Sequence, residues 1–363
     1  MNDRFSFDAV IAVSRVVIIA GSGGVGKTTT SAAIAVRAAR QGRRVVVVTI
    51  DPAKRLADAL GIDGTNSMGN EPLRIPLEGA RGELSALMLD TRTTFDALID
   101  RYSPTPEQAE RIRSNLFYRN ISGALSGTQE YMAAEKLFEL YSDDRFDLVV
   151  VDTPPTRQAL DFLSAPQRLR RFIDHPLYRV VIAPSHIGLR AVNAVSQPVL
   201  RTISRVVGAR ALDDALSFFK AFQGLDAGFR DRANDVDRVL HESTTKYVVV
   251  SSAEPEPIHE ALYFIDQLES QGVDPSVIIA NRLTPDFGSA EADPSEVVPA
   301  ALVDNLRDLI AESTAEQHNL APLAARRAGT PVLRLPVMTG LLDEPVDTLA
   351  LLVQLGSFLG DGD

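Results

Sequence analysis

A glycine-rich segment near the start of the chain has the residue types and spacing of a phosphate-binding loop. It reads Gly21-Ser-Gly-Gly-Val-Gly-Lys-Thr28 and matches the pattern G-x-x-x-x-G-K-[ST]. Glycines let the backbone curl so that successive N–H groups point at phosphate oxygens, and the lysine reaches the β- and γ-phosphates. The hydroxyl of Thr28 can be a ligand of Mg²⁺. The residues expected to bind the nucleotide phosphates are Gly23, Gly24, Val25, Gly26, Lys27, Thr28 and Thr29.

Two aspartates, Asp51 and Asp152, each follow an apolar run. In an open α/β sheet the ligand lies at the carboxyl ends of the strands, so both acids should face the crevice that holds the loop. A carboxylate in this place can orient or deprotonate a water, or associate with Mg²⁺. Position alone leaves these two roles open to both acids. The alternative is that Asp51 begins an Asp-Pro turn and Asp152 caps a helix.

Short runs rich in β-branched residues recur along the chain and predict strands buried on both faces of a parallel sheet. An alanine-rich helix is predicted from Thr28 to Arg40, ending at Gly42. Strands that alternate with helices indicate an α/β fold with a doubly wound, mostly parallel sheet. The predicted strands are Arg15–Ala20, Arg44–Ile50, Phe146–Val151, Lys246–Val250, Ser276–Ala280 and Val332–Pro336.

Two long stretches lack strand signals and are predicted to be helical insertions that form one subdomain. Either they are such insertions or they are long crossover connections. The expected organisation is a nucleotide-binding core in residues 1–90, a first insertion in 91–141, and the core strand with its aspartate in 142–165. The second insertion then covers 166–240, and the C-terminal part of the core covers 241–363.

The composition excludes several functions. The chain has 363 residues, no cysteine and a formal net charge of −11. Without cysteine it supplies no disulfide, zinc-thiolate site, iron–sulfur cluster or thiol nucleophile. Its acidic charge argues against nucleic-acid binding. The sequence shows no signal peptide and no apolar run long enough to span a bilayer, so the expectation is a cytoplasmic protein with at most peripheral membrane contact.

These motifs together resemble the ArsA-like family of P-loop ATPases, which includes the arsenite-pump ATPase and the targeting ATPase for tail-anchored proteins. Residues 23–29 resemble that family's deviant Walker A loop, Asp51-Pro-Ala its switch I, and Asp152-Thr-Pro-Pro-Thr its switch II. Asn281-Arg282 is similar to the adenine-contacting segment, and Leu335-Pro-Val337 with Asp343–Pro345 is similar to the C-terminal adenine loop. The resemblance implies a dimer that binds ATP or ADP with Mg²⁺, with Asn281, Pro336 and Val337 near the adenine, and a helical subdomain that binds a client protein. It also implies that Asp51 positions the attacking water, as a catalytic residue with Lys27, and that Asp152 acts with Thr28 at the metal.

One position departs from the family. A signature lysine stands two residues before Gly24 in that family and crosses the dimer interface to the partner's phosphates, whereas this chain has Ser22. Serine supplies neither the charge nor the length. Either the chain forms a heterodimer with a lysine-bearing relative, or a nearby arginine or Lys54 takes the lysine's place.

Three functional hypotheses follow. The first is a Mg²⁺-dependent ATPase that couples its nucleotide state to a client or partner. The second is a scaffold subunit that binds ATP, hydrolyses it poorly, and serves an active partner. The third, an anion-pump subunit, rests on family naming alone. The absence of cysteine separates the chain from relatives that capture arsenite with thiolates, close a dimer with cysteine-bound zinc, or hold an iron–sulfur cluster.

Two features of the insertions have no assigned role. Pro166–Arg210 contains eight arginines and a single acid, Asp174. This basic stripe is either a docking face for an acidic partner or membrane, or a solvated face balanced by acids of the first insertion such as Asp96, Asp100, Glu107 and Glu110. Two glycines, Gly123 and Gly127, interrupt a helical pattern and indicate either a hinge or a simple loop.

Overall fold

An eight-stranded sheet forms the centre of the fold in the computed structural model, which describes residues 5–51, 55–62, 69–119, 128–175, 209–288, 299–326, 329–338 and 348–359. The strand order is β3-β4-β2-β5-β1-β6-β7-β8. The β3–β4 pair is antiparallel, and all other neighbours are parallel. The strands are β1 (Val16–Gly21), β2 (Arg44–Thr49), β3 (Leu73–Ile75), β4 (Glu83–Met88), β5 (Leu148–Asp152), β6 (Thr245–Ser251), β7 (Pro275–Leu283) and β8 (Val332–Pro336).

The predicted α/β fold with a mostly parallel sheet is confirmed. The six runs predicted as strands correspond to β1, β2, β5, β6, β7 and β8, with ends that differ by at most three residues. Valine and isoleucine fill these strands, and every residue of β1 and β5 is buried. Such strands need cover on both faces, which crossover helices provide.

The strands β3 and β4 were not predicted from the sequence. β3 has only three residues, and β4 reads Glu-Leu-Ser-Ala-Leu-Met, with no β-branched residue. Intrinsic strand propensity is therefore weak in both. Pairing of β4 with β2, from Arg44 opposite Glu83 to Thr49 opposite Met88, sets its strand conformation instead.

Helices occupy the connections between the strands. The predicted helix after the glycine-rich loop runs from Lys27 to Arg40, and Gly42 beyond its end has a left-handed φ of 105°. The helices are α1 (Phe7–Val13), α2 (Lys27–Arg40), α3 (Arg55–Ala59), α4 (Thr91–Tyr102), α5 (Pro106–Ser114), α6 (Thr128–Tyr141), α7 (Thr156–Asp174), α8 (Ala209–Ala221), α9 (Asp226–Leu240), α10 (Pro255–Ser270), α11 (Ala300–Arg326) and α12 (Thr348–Phe358).

The chain divides into two compact units. The first comprises Met1–Met88, Leu140–Leu160 and Ser243–Asp363, and the second comprises Leu89–Glu139 and Asp161–Glu242. The first unit holds the sheet, and its core is made of strand valines and isoleucines with the alanine-rich α2. In the second unit every described element is a helix, and its core is rich in aromatic rings. The domain bounds given from the sequence stay a prediction.

Several residues named from the sequence lie outside the described residues. This applies to Lys54, to Gly123 and Gly127, to Asp343–Pro345, and to Arg179, Arg190, Arg201 and Arg205 of the basic stripe. Among the helices that the structure describes, none is both long enough and apolar enough to cross a membrane.

Candidate nucleotide site

The glycine-rich loop lies between the end of β1 and the start of α2. Gly24 and Gly26 have φ values of 80° and 93°, which glycine adopts without strain. A Cβ on Gly21 would overlap the carbonyl oxygen of Val250, whereas a Cβ on Gly23 or Gly24 would meet nothing within 4 Å. The loop is therefore packed closely against the sheet at its start and open beside Gly23 and Gly24, where a ligand could approach the backbone.

Lys27, the first residue of α2, turns its ammonium group back toward the loop. Its Nζ donates a hydrogen bond of 2.7 Å to the carbonyl oxygen of Ser22, and the residue is 8% exposed. Burial lowers the pKa of Lys27, and the negative charges of Asp152 and Asp51 oppose that shift. The loop thus encloses one cation that water solvates poorly, which favours binding of an anion.

Asp152, the last residue of β5, accepts hydrogen bonds from hydroxyl groups of three residues. Thr28 and Thr49 donate to its Oδ2 at 2.9 and 3.0 Å, and Ser31 donates to its Oδ1 at 3.4 Å. The residue is 1% exposed, and burial raises its pKa although the bonds from Thr28 and Thr49 oppose the shift. The strand register places Asp152 here, because it lies opposite Ile19 of β1 and Thr49 of β2.

The pair formed by Thr28 and Asp152 has the chemistry of a Mg²⁺ site in a phosphoryl-transfer protein. Mg²⁺ takes oxygen ligands and keeps several waters, so it needs only one or two protein oxygens beside the substrate phosphates. The described residues contain no group of three acidic or histidine side chains that could hold a metal by themselves. The hydroxyl and carboxylate fit a metal that is held jointly with a phosphate.

Asp51 follows β2 by two residues and is partly exposed. Its backbone N–H donates to Thr49 Oγ1 at 3.3 Å, and its Oδ2 lies 3.4 Å from Nη1 of Arg55, the first residue of α3. The Asp51 side chain is 23% exposed and the Arg55 side chain is 66% exposed. The negative charge of Asp51 raises the pKa of Lys27 and the positive charge of Arg55 lowers it, so these side chains lie near each other. Together with the Thr28–Asp152 hydrogen bond, this brings Lys27, Thr28, Asp51 and Asp152 into one site.

Ser22 is buried at the start of the loop. The residue is 5% exposed, and its hydroxyl has no hydrogen-bond partner among the described residues. A buried hydroxyl without a partner is energetically unfavourable. The Ser22 hydroxyl can form hydrogen bonds only within its own site. The signature lysine of the family that this chain resembles instead extends out of the site toward a partner subunit.

The residues expected near the adenine lie at the ends of β7 and β8. The Asn281 side-chain amide donates a hydrogen bond of 2.8 Å to the carbonyl of Val25, so Asn281 contacts the loop. Arg282 next to it has a φ of 62°, where β7 and β8 change register. The Val337 N–H donates to the carbonyl of Leu283 at 2.8 Å, which fixes the chain just after Pro336.

Sequence reasoning missed several residues of the site. Thr49 and Ser31 bind Asp152, and the Thr153 hydroxyl donates to the carbonyl of Ile19 at 2.6 Å. For Ser31, the only sequence signal is its position four residues after Lys27 in α2. For Thr49, the only signal is that it is a threonine at the end of the β2 run. Their contacts with Asp152 span more than a hundred residues and depend on strand pairing.

The described arginines Arg168 and Arg170 of the basic stripe pair with acids other than those named from the first insertion. Arg168 pairs with Asp161 at 2.8 Å, and Arg170 pairs with Asp237 at 3.4 Å. Asp174 pairs with Arg230 at 3.0 Å. The acids named from the first insertion have other partners: Asp100 and Glu110 pair with Arg113, and Asp96 accepts a bond from Tyr118. The balancing acids thus come from the α7 and α9 helices themselves.

A strand, a glycine-rich loop and a helix with Lys27 and Thr28 at its start, beside an aspartate that ends a neighbouring strand, define a P-loop nucleotide-binding ATPase. The family follows from sequence comparison. The ArsA ATPase family model, described as anion-transporting ATPase, matches residues 14–297. The chain therefore belongs to the ArsA ATPase family, which confirms the resemblance, and it is an ATPase that uses ATP.

Relatives carry two kinds of name. The chain is 27% identical over 266 residues to the "ATPase GET3" of Malassezia globosa, covering 72% of this chain and 71% of that protein. It is 25% identical over 268 residues to the "ATPase get3" of Schizosaccharomyces japonicus, covering 74% of each. It is also 26% identical over 281 residues to the "Putative arsenical pump-driving ATPase" of Chlorobaculum tepidum, covering 74% of this chain and 61% of that protein.

Proposed function

We propose that the chain is a Mg²⁺-dependent ATPase in which Lys27, Thr28, Asp51 and Asp152 carry the chemistry. Lys27 and the loop amides bind the phosphates, and Thr28 with Asp152 holds Mg²⁺, which neutralises phosphate charge when bound. Asp51 orients the attacking water. Asn281, Pro336 and Val337 lie near the adenine in this proposal.

The observation that carries the proposal is the hydrogen bond from Thr28 to the buried carboxylate of Asp152. Asp152 is 1% exposed, and burying a carboxylate costs free energy unless it is hydrogen-bonded and paired with positive charge. Three hydroxyl donors and the nearby Lys27 ammonium hold this charge beside the phosphate loop. Thr28 and Asp152 would hold a divalent cation here, and its charge would match this buried carboxylate and offset the charge of a phosphate.

Asp51 is the described acid best suited to act on water. Its side chain is 23% exposed, unlike that of the buried Asp152, and it forms an ion pair with the exposed Arg55. A carboxylate that accepts a hydrogen bond from the attacking water orients that water. It gains the water's proton as the bond from the water oxygen to the γ-phosphorus forms and the bond from that phosphorus to the ADP oxygen breaks.

The proposal includes a dimer whose nucleotide state controls a helical client-binding subdomain. The resemblance to the family supports this part, and the described helices of the second unit supply elements that could bind a client. Because Ser22 offers no cation to a partner's phosphates, a heterodimer with a lysine-bearing relative remains part of the proposal.

The test is ATP turnover of the purified chain with Mg²⁺ and with a chelator. We expect turnover to need Mg²⁺ and to fall by about 10²-fold or more in Lys27→Ala, Asp51→Asn and Asp152→Asn. Asp304→Asn, at a 68% exposed side chain of α11, is the matched control and should keep the wild-type rate. Chelator-insensitive turnover would contradict the metal role, and a wild-type rate in Asp51→Asn would contradict the role given to that residue.

The second candidate function is an ATP-binding scaffold subunit, which the buried position of Ser22 favours. In this case the lone chain binds ATP and turns it over at a rate that does not depend on Asp51. Recovery of interacting proteins from native lysate with and without ATP, followed by turnover assays on the reconstituted pair, separates the candidates. A stable homodimer with Asp51-dependent turnover excludes the scaffold.

A further inference from the structure

The ion pair between Asp51 and Arg55 places a second cation at the phosphate site. Asp51 Oδ2 and Arg55 Nη1 are 3.4 Å apart, and the arginine is the more exposed partner. The guanidinium is also close enough to Lys27 for its positive charge to lower the pKa of that lysine. Arg55 therefore belongs to the electrostatic environment of the glycine-rich loop.

The charges around Lys27 are unbalanced for a triphosphate. Burial lowers the pKa of Lys27 most; among the described residues, the carboxylates of Asp152, Asp51 and Glu260 raise it and the Arg55 guanidinium lowers it further. Three terminal phosphates with acids nearby need more positive charge than Lys27 and a metal ion supply, and Ser22 contributes none. Within the described part of the chain, Arg55 is the cation in contact with the acid expected to hold the attacking water.

Arg55 can leave Asp51 at low cost. Exposed ion pairs contribute about 0.2–1 kcal/mol, so a stronger anion can displace the carboxylate. A guanidinium binds phosphate oxygens through two parallel hydrogen bonds, which a hydroxyl or a single amine does not reproduce. The water that Asp51 orients must lie within hydrogen-bonding distance of it and next to the γ-phosphate. A guanidinium paired with the same carboxylate therefore lies on the γ-phosphate side of the site in this proposal.

We propose that Arg55 moves from Asp51 to the γ-phosphate when ATP binds, and so supplies from the switch segment the positive charge that position 22 lacks. The exchange also frees the Asp51 carboxylate to accept a hydrogen bond from water. This inference rests on the proposed assignment of the phosphate site. It makes Arg55 a catalytic residue that distinguishes triphosphate from diphosphate.

The decisive measurement is the affinity of Arg55→Gln for ADP and for a non-hydrolysable ATP analogue. Loss of a hydrogen-bonded contact with a charged group should weaken binding of the analogue by about 10- to 100-fold, with ADP affinity changed less than about twofold. Arg55→Lys should recover part of the loss. Arg74→Gln is the matched control, since Arg74 is an exposed arginine of the first unit that pairs with Glu83 at 2.9 Å.

Measuring the effect of Arg55→Gln in a protein that also carries Asp51→Asn separates a contact of Arg55 with phosphate from neutralisation of the Asp51 charge. If Arg55 only offsets the carboxylate, Arg55→Gln has no effect on analogue affinity once Asp51→Asn is present. If it contacts the γ-phosphate, the loss persists in that background. Loss of the effect in Asp51→Asn, or an equal loss of ADP affinity, overturns the inference.

Failure of the inference can be distinguished from failure of the proposed function. Wild-type protein that binds neither nucleotide contradicts both. Protein that binds both nucleotides through Lys27 but is unaffected by Arg55→Gln contradicts only the inference. Protein that binds ATP without hydrolysing it contradicts the ATPase mechanism, while the affinity ratio still decides the role of Arg55.

Discussion

The side-chain amide of Asn281, near the end of β7, donates a hydrogen bond of 2.8 Å to the carbonyl of Val25, in the middle of the glycine-rich loop. The two residues are 256 positions apart in the chain. A Cβ on Gly26 would overlap this amide, and Gly26 has a φ of 93°. The loop's conformation thus depends on a distant strand as well as on its own glycines.

Gly26→Ala should destabilise the nucleotide-free protein by about 1–3 kcal/mol, because the substitution adds both backbone strain and a clash with Asn281. Gly23→Ala is the matched comparison, since its Cβ would meet nothing within 4 Å and its φ is not left-handed. Urea unfolding without nucleotide measures the free energy of unfolding of both variants. Equal stability of the two variants would show that Asn281 does not constrain the loop.

Asp152→Asn should lose ATP turnover and change the pH dependence of stability. Burial raises the pKa of Asp152 above its ordinary value of 3.8, so the folded state holds this proton more tightly than the unfolded chain. The resulting contribution to stability is complete below that value and is lost as the pH rises through the folded pKa. Asparagine does not titrate, so the stability of the variant relative to wild type should increase as the pH rises above about 4 and through the folded-state pKa of Asp152.

Urea unfolding of wild type and Asp152→Asn across this range gives the measurement. A constant offset, from the altered bonds with Thr28 and Thr49, would not change the slope. A stability difference that stays flat with pH would contradict the raised pKa.

Asp147→Asn should show the opposite pH dependence. Hydrogen bonds from Arg44 lower the pKa of Asp147 to about 2, although slight burial opposes the shift. This group therefore stabilises the fold above its ordinary value of 3.8, and the contribution is lost as the pH falls through about 2. Because the pair is largely exposed, we expect about 0.5–1 kcal/mol near neutral pH. Thermal unfolding at decreasing pH should show the variant and wild type converge, while Asp304→Asn tracks wild type throughout.

The second unit contains a buried ion pair whose removal should be costly. Arg232 Nε donates to both carboxylate oxygens of Glu135 at 2.7 and 2.9 Å, and the guanidinium lies 3.9 Å from the ring centre of Phe138. Arg232→Met leaves the Glu135 carboxylate, which is 3% exposed, without its partner and should cost about 3–5 kcal/mol. The double variant Glu135→Leu, Arg232→Met should recover most of this loss. Additive effects in a double-mutant cycle by urea unfolding would contradict the coupling.

Local sequence was sufficient for the elements that carry the chemistry. The spacing of Gly21, Gly26, Lys27 and Thr28 predicts a loop and a helix start because each residue acts on its own stretch of backbone. The β-branched runs predict the central strands, since a run buried on both faces needs no partner to be recognised. The apolar run before Asp152 predicts that this acid ends a strand, as observed.

Tertiary structure decided which residues meet. The hydroxyls that bind Asp152 come from α2 and β2, and the cap on the loop comes from Asn281 of β7. The strand β4, which has no β-branched residue, forms because β2 is there to pair with it. The sequence alone shows that Ser22 departs from the family motif. It does not show that Ser22 is buried or that its hydroxyl has no hydrogen-bond partner among the described residues. Local propensity is set within a few residues, whereas burial, register and charge pairing depend on segments that only the folded chain brings together.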